Sequence, residues 1–233
     1  MNIAIKRYIS ILLVWALIIV SPVFAQQVGK QKDKDAAYAK VLAQRAAKIV
    51  AKLDISDSLK VKRVENIIAD QYRQLGDVHD AQNAQVKEIK ADSTKSKTEK
   101  EALIKKIDEE LAAQLKKKHD EYLSKLSVEL SSEQVDKVKD GMTYGKVQFT
   151  YNGYIQMIPS LTDVQKKQIM DWLLEARELA IDAGSSEQKT AIFGKYKGRI
   201  ANYLSAQGYD LKKEQEEWNK RMKAEKSDKT EKK

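Results

Sequence analysis

The amino-acid sequence predicts a mainly α-helical protein with one small β-hairpin at about residues 147–158. Apolar residues recur every three or four positions through most of the 233-residue chain, which is the period of an amphipathic helix. Ser or Thr stands three residues before Gln at three places, a spacing typical of the capping box that begins a helix. Only the stretch 140–159, DGMTYGKVQFTYNGYIQMIP, departs from this composition, because it is rich in Tyr, Phe, Val, Ile and Gly.

Residues 1–25 have the three parts of a secretory signal peptide: a basic start, an apolar run over 9–20 and a small residue, Ala25, at the expected cleavage point. A membrane span needs about 20 apolar residues, and this run ends sooner, at Ser21-Pro22. We therefore expect a periplasmic or secreted protein with no stable membrane insertion after cleavage; an uncut anchor is the alternative. The chain has no Cys, so a disulfide framework is excluded.

The first half of the mature chain, residues 26–128, predicts a helical hairpin. A short amphipathic helix over 36–53 precedes a helical stripe of apolar residues over 61–89. The segment 91–100, ADSTKSKTEK, lacks that period and predicts a loop. The stripe returns over 103–126, so the two long helices should fold back on each other in antiparallel fashion.

The second half, residues 129–211, predicts shorter helices with defined starts. The Ser/Thr and Gln pairs are 131 with 134, 162 with 165 and 185 with 188, and they place helix starts near residues 132, 163 and 186. The last segment, 212–233, predicts a charged C-terminal helix or tail, because its apolar residues are few.

Asn152-Gly153 predicts the turn of the β-hairpin. Asn-Gly between β-forming residues favours a two-residue turn in which both central residues have positive φ. Such a turn would pair Tyr151 with Tyr154, Phe149 with Gln156 and Val147 with Ile158, and would place Phe149 on the same face as Val147. An isolated hairpin is marginally stable in water, so its more apolar face should pack on the helices.

The motifs DGMTYG, IPSLTDVQ, EAREL and YLSAQGYDL, which lie within residues 140–211, resemble a domain-of-unknown-function family of secreted bacterial proteins. Members of that family are often encoded near polysaccharide-degrading enzymes, pectin-degrading ones among them, so the resemblance implies a role in carbohydrate utilisation. LTDVQ and LSSEQ are also similar to the LTxxQ motifs of periplasmic stress chaperones. Helix capping explains both motifs without a chaperone role.

The sequence indicates no catalytic residues, metal site or cofactor. Its only histidines, His79 and His119, are each followed by Asp, a pair of residue types that could bind a metal or transfer protons. In a hairpin centred near residue 94 they should lie about 15 Å apart along the helices, which argues against a shared site. A catalytic pair of carboxylates for glycoside hydrolysis remains an alternative, because the 34 acidic residues offer many combinations.

The aromatic group around the predicted turn is the best candidate for a binding surface. We expect contacts from Tyr144, Tyr151, Asn152 and Tyr154, since exposed phenol rings can pack against a sugar ring or a protein partner. Arg177 and Arg199 could anchor an acidic sugar, because a guanidinium holds a carboxylate through two parallel hydrogen bonds. The alternative is that the aromatic residues close the core and the arginines form surface ion pairs.

The formal net charge of +9 gives a weak preference for an anionic partner. Acids and bases are interleaved along most of the chain, which argues against nucleic acid. The sequence thus favours an exported non-catalytic protein that binds an acidic poly- or oligosaccharide or an envelope protein, accessory to glycan capture or processing. A periplasmic chaperone-like protein is one alternative, and a glycan-active enzyme is the other. The oligomeric state does not follow from the sequence.

Overall fold

A computed structural model of the protein describes residues 22–231 and contains helices and connecting loops, with no β-strand in that range. The main-chain course of these helices confirms the mainly α fold. The helices are α1 (Pro22–Val50), α2 (Ser58–Ala91), α3 (Lys97–Glu129), α4 (Ser132–Met142), α5 (Lys146–Met157), α6 (Asp163–Ile181), α7 (Ser186–Ala206) and α8 (Leu211–Glu231).

The chain divides into two compact units, and the boundary between them in the sequence falls after Val41. Of the first unit the structure describes only a helical segment, residues 22–41, and most of the predicted signal peptide, residues 1–21, lies outside the described residues. None of the helices over 22–231 is long and apolar enough to cross a membrane. The second unit contains the end of α1 and all the other helices.

The predicted helical hairpin is confirmed as α2 and α3. Cross-helix contacts show the antiparallel order: Arg63 bonds to Glu129, and farther along the hairpin Lys118 bonds to Gln74. The predicted loop shortens to residues 92–96, because Ser96 and Glu99 form a capping box that starts α3 within the segment expected to be a loop.

The three helix starts predicted from capping motifs are confirmed at α4, α6 and α7. Ser131 with Gln134 and Thr162 with Gln165 each form both hydrogen bonds of the box. Ser185 accepts from the amide of Gln188, but the Gln188 side chain accepts from the amide of Gly184 instead. The start of α7 is therefore capped by a variant of the expected motif.

The predicted β-hairpin is wrong, because residues 146–157 form helix α5. Val147, Tyr151 and Tyr154 of α5, with Ile158 directly after it, recur at three- or four-residue intervals and pack in one core cluster. Phe149, expected on the same face as Val147, is 81% exposed. The burial of these side chains thus outweighs the low helix propensity of the segment, which costs about 4 kcal/mol relative to alanine at the same positions.

Two apolar cores hold the second unit together. The first is formed by the end of α1 with α2, α3 and α4 and includes Leu53, Ile68, Leu126 and Val138. The second is formed by α5, α6 and α7 and includes residues such as Ile158, Leu173 and Ile200. Each core supports one of the two clefts described next.

Candidate functional site

A cleft of about 550 Å³ opens between α5, α7 and α8, and we name it the α5 cleft. Its walls are held in place by main-chain contacts. The Arg221 guanidinium of α8 donates to the carbonyls of Gln156 and Met157 at 2.9 and 3.0 Å. These bonds supply partners for carbonyl groups at the C-terminal end of α5, where the helix itself provides none. The Tyr154 hydroxyl donates to the Lys197 carbonyl of α7 at 3.3 Å. The lining residues are Phe149, Thr150, Asn152, Gly153, Tyr154, Gln156, Met157, Lys197, Gln215 and Trp218.

The α5 cleft combines aromatic rings with uncharged polar groups. Phe149 stands 81% exposed at its edge, while the indole nitrogen of Trp218 is buried and has no hydrogen-bond partner among the described residues. Burial raises the pKa of Tyr154, so its phenol stays protonated at neutral pH. Side-chain amides come from Asn152, Gln156 and Gln215, and none of the lining residues is acidic.

Gly153 lies in the middle of α5 on the wall of this cleft. A Cβ atom built on Gly153 would meet no protein atom within 4 Å, and its φ is not positive. Neither packing nor backbone conformation within the chain therefore requires glycine here, although glycine costs about 1 kcal/mol in a helix interior relative to alanine. The missing side chain leaves open space in the cleft.

A second cleft, of about 840 Å³, lies where the end of α1 meets α2 and α4, and we name it the basic cleft. Its lining residues are Arg45, Lys48, Ile49, Ala51, Lys52, Tyr72, Lys137, Asp140, Gly141, Tyr144 and Gly145. Four of them are cationic, and the single acid, Asp140, is bonded to Arg177 at 2.9 Å. This cleft therefore presents an excess of positive charge.

Tyr144 reaches the edge of the basic cleft from a constrained turn between α4 and α5. Its φ is 61°, in the left-handed region that only a few per cent of non-glycine residues adopt, and Gly145 follows with φ of 65°. The Gly145 amide donates to the Asp140 carbonyl at 2.8 Å and closes the turn. The phenol of Tyr144 is 59% exposed.

The tyrosines and the asparagine predicted as contacts do not form one surface. Tyr144 lines the basic cleft, whereas Asn152 and Tyr154 line the α5 cleft. Tyr151 is half-buried and packs against the core formed by α5, α6 and α7. The helical path of residues 146–157 separates side chains that a hairpin would have placed together.

Both predicted arginine anchors are engaged within the protein. Arg177 is 5% exposed, and it donates to Asp136 at 2.6 Å and to Asp140 at 2.9 Å, which ties α6 to α4. Arg199 lies 4.6 Å from the centre of the Trp172 ring and is 3.4 Å from Glu175. Their role as sugar anchors stays a prediction.

The two histidines meet at one residue, contrary to the expected separation. His79 Nε2 lies 2.8 Å from the carbonyl oxygen of Asp182, and His119 Nδ1 lies 2.7 Å from its carboxylate. The contact between Gln74 and Lys118 places the centre of the α2–α3 hairpin nearer residue 96 than residue 94. His79 and His119 therefore lie closer to each other along the helices than expected. The hydrogen bond to Asp182 raises the pKa of His119.

Behind Asp182 lies a buried lysine. Lys189 is 4% exposed and donates to the carbonyls of Ala180 and Ile181 at 2.7 and 3.3 Å, at the end of α6. Burial lowers its pKa to about 8. Lys189 lines neither the α5 cleft nor the basic cleft. No group of three or more His, Asp or Glu side chains in the described part of the chain is placed to hold a metal. The contacts of Lys189 hold the end of α6 against α7.

Sequence reasoning missed the basic cleft, although the sequence contains a signal for it. Acids and bases alternate along most of the chain, but residues 36–53 contain Lys40, Arg45, Lys48 and Lys52 and no acid. An acid-free helical segment cannot neutralise its cations through pairs four residues apart. Phe149 was also missed, because the predicted hairpin placed it on the face that packs on the helices.

The described residues form an all-α fold with two open clefts. The chain belongs to the family described as Protein of unknown function (DUF3826), whose model matches residues 39–224. The match spans both clefts. No curated protein matches the sequence.

Proposed function

We propose that this protein binds carbohydrate chains at the α5 cleft without transforming them, as an exported accessory to glycan capture or processing. The observation that carries the proposal is the exposed ring of Phe149 beside a cleft lined by further aromatic rings and by amides. Large apolar side chains that stand in solvent next to a concave pocket are typical of binding sites.

The chemistry of the lining suits a sugar ring. The apolar C–H face of a pyranose can pack on the Phe149 ring, while its hydroxyl groups exchange hydrogen bonds with amide side chains. Asn152 is available for this, because its carbonyl oxygen accepts from Gln148 at 2.6 Å and its NH₂ group is left to donate. Gln156 and Gln215 add further amides on α5 and α8.

A non-catalytic role is favoured by the residue types of the same cleft. Hydrolysis of a glycosidic bond normally uses two carboxyl groups placed on either side of that bond, and the lining of the α5 cleft contains neither Asp, Glu nor His. The histidines lie elsewhere, bonded to Asp182. Capture of a sugar chain needs only the stacking and hydrogen-bonding groups that are present.

Export is part of the proposal and is supported by the sequence alone, through the signal-peptide pattern of residues 1–25. The family resemblance supports a place beside polysaccharide-degrading enzymes. A binding protein in that setting would hold polymer or fragments near the enzymes that cut them.

Calorimetric titration of the purified protein with a panel of neutral and acidic oligosaccharides tests the proposal. Phe149→Ala should weaken binding of the best neutral ligand at least about tenfold, since stacking on one aromatic ring contributes about 1–2 kcal/mol. Leu59→Ala is the matched control, because Leu59 is 71% exposed on α2 and lies outside both clefts. Binding by no oligosaccharide, or equal weakening in both variants, would refute the proposal.

A further inference from the structure

Three of the four cations of the basic cleft have no carboxylate partner within the part of the chain that the structure describes. Along α3, lysines pair with glutamates four residues away, as Lys105 does with Glu109. Arg45, Lys48 and Lys52 are exposed, and none of them forms an ion pair with a carboxylate among the described residues. Their charges therefore remain available to a ligand.

The other charged residues of the basic cleft do not neutralise it. Asp140 is bonded to Arg177, and Lys137 is 3.1 Å from Glu133, whose side chain is 80% exposed and points into solvent. Positive groups that line a concave surface reinforce each other's field and raise the local concentration of anions. The cleft thus favours a negatively charged ligand.

The cations lie in a row. Arg45 and Lys48 are three residues apart on the last turns of α1, and Lys52 lies on the turn that follows. Successive charges are therefore separated by about one helical turn, roughly 5 Å. A chain of uronic acid rings presents one carboxylate per ring, at a repeat of similar length.

Tyrosine supplies the apolar contact that a sugar ring needs. The exposed phenol of Tyr144 stands at the edge of the cleft, and its positive φ shows that the turn holds it there at the expense of backbone strain. Tyr72 forms part of the opposite wall, and burial raises its pKa to about 12, so it remains neutral. Gly141 permits this corner to close, because a Cβ there would lie 2.9 Å from Ile49 Cγ1.

We infer that the basic cleft is a second binding site, one that takes a linear oligosaccharide carrying carboxylates on successive rings. Arg45 holds one carboxylate through two parallel hydrogen bonds, Lys48 and Lys52 attract the next ones, and a ring packs on Tyr144. The inference does not depend on ligand binding at the α5 cleft. The concave shape and the phenol at its edge favour a sugar chain over a membrane surface, which an exposed flat basic face would suit better.

The test uses a hexamer of uronic acid and its carboxyl-reduced form, which has the same rings without charge. Wild-type protein should bind the acidic hexamer at least about tenfold more tightly than the reduced one, and binding should weaken as salt is added. The triple variant Arg45→Gln, Lys48→Gln, Lys52→Gln should lose this preference. Its fold should survive, because all three side chains are exposed.

The matched control is Lys87→Gln, Lys212→Gln, Lys213→Gln, which removes the same charge from exposed lysines outside the cleft and should bind within about twofold of wild type. Phe149→Ala should also retain the acidic hexamer, which separates this site from the α5 cleft. Equal binding of the two hexamers, or equal loss in the control, would overturn the inference. So would binding of anionic phosphatidylglycerol vesicles, but not of the hexamer, through the same three cations.

Discussion

Substitution of Gly153 by alanine distinguishes helix α5 from the β-hairpin that the sequence predicts. In the structure Gly153 is an interior residue of α5 with no positive φ, and an added Cβ would meet no atom within 4 Å. Alanine should therefore fit without strain. In an Asn-Gly hairpin turn the same residue would need positive φ, which costs a non-glycine residue about 1–2 kcal/mol.

The magnitude follows from helix propensity. Replacement of an interior glycine by alanine gains about 1 kcal/mol, and in a protein of this size that raises the melting temperature by about 2–4 °C. Gly141→Ala is the matched control on α4, because its Cβ would lie 2.9 Å from Ile49 Cγ1 and force the helices apart. That variant should be destabilised although it gains the same propensity.

Urea and thermal unfolding of the three proteins provide the assay, with titration of the best oligosaccharide as a second readout. Gly153→Ala should be more stable than wild type and should bind a neutral oligosaccharide more weakly, because the new methyl group enters the α5 cleft. A loss of stability of 1 kcal/mol or more in Gly153→Ala would refute the helical conformation of this segment.

Three further predictions concern stability. Thr162→Ala should cost about 1 kcal/mol in urea unfolding through loss of the α6 capping box, and Thr162→Ser should restore most of it. Arg177→Met should cost about 2–3 kcal/mol by calorimetry, because it breaks the charged hydrogen bonds between α6 and α4, and Arg177→Lys should recover only part. Burial lowers the pKa of Lys189 from 10.5 to about 8, so below pH 8 its buried charge destabilises the folded state. Between pH 8 and 10.5 the folded protein loses this charge, and the unfolding free energy of wild type should rise by about 3 kcal/mol relative to Lys189→Met. Parallel pH profiles of the two proteins would contradict this assignment.

The helix starts could be predicted because they depend on local chemistry. A capping box needs only a hydroxyl and an amide three residues apart, so Ser131 with Gln134 and Thr162 with Gln165 indicate α4 and α6 directly. The long hairpin could be predicted for a similar reason, since each helix shows its apolar stripe in sequence.

Helix α5 could not be predicted, because its local preferences and its tertiary environment disagree. Val, Phe, Thr, Tyr, Asn and Gly all favour other conformations over a helix. The helical path is selected by packing into the second core, to which Val147, Tyr151, Tyr154 and Ile158 contribute. Residues that conflict with their own secondary structure are often retained for function. In α5 the conflicting residues Phe149, Asn152 and Gly153 all line the cleft.

The clefts themselves depend on helices that are distant in sequence. Trp218 of α8 lines the same cleft as Asn152 and Gly153, and Arg221 of α8 binds the end of α5. Likewise, the basic cleft joins Arg45 to Tyr144 across the first core. Sequence spacing within one helix indicates neither arrangement, so the predicted contacts were assigned to one surface where the structure has two.

Hydrogen–deuterium exchange with and without the best-binding neutral oligosaccharide tests the central claim most directly, because it locates the bound sugar on the chain. Binding at the α5 cleft should slow exchange in peptides that cover 146–157 and 211–221, and Phe149→Ala should abolish that change. Slower exchange confined to other helices, or unchanged exchange at saturating ligand, would contradict the α5 cleft as the carbohydrate-binding site.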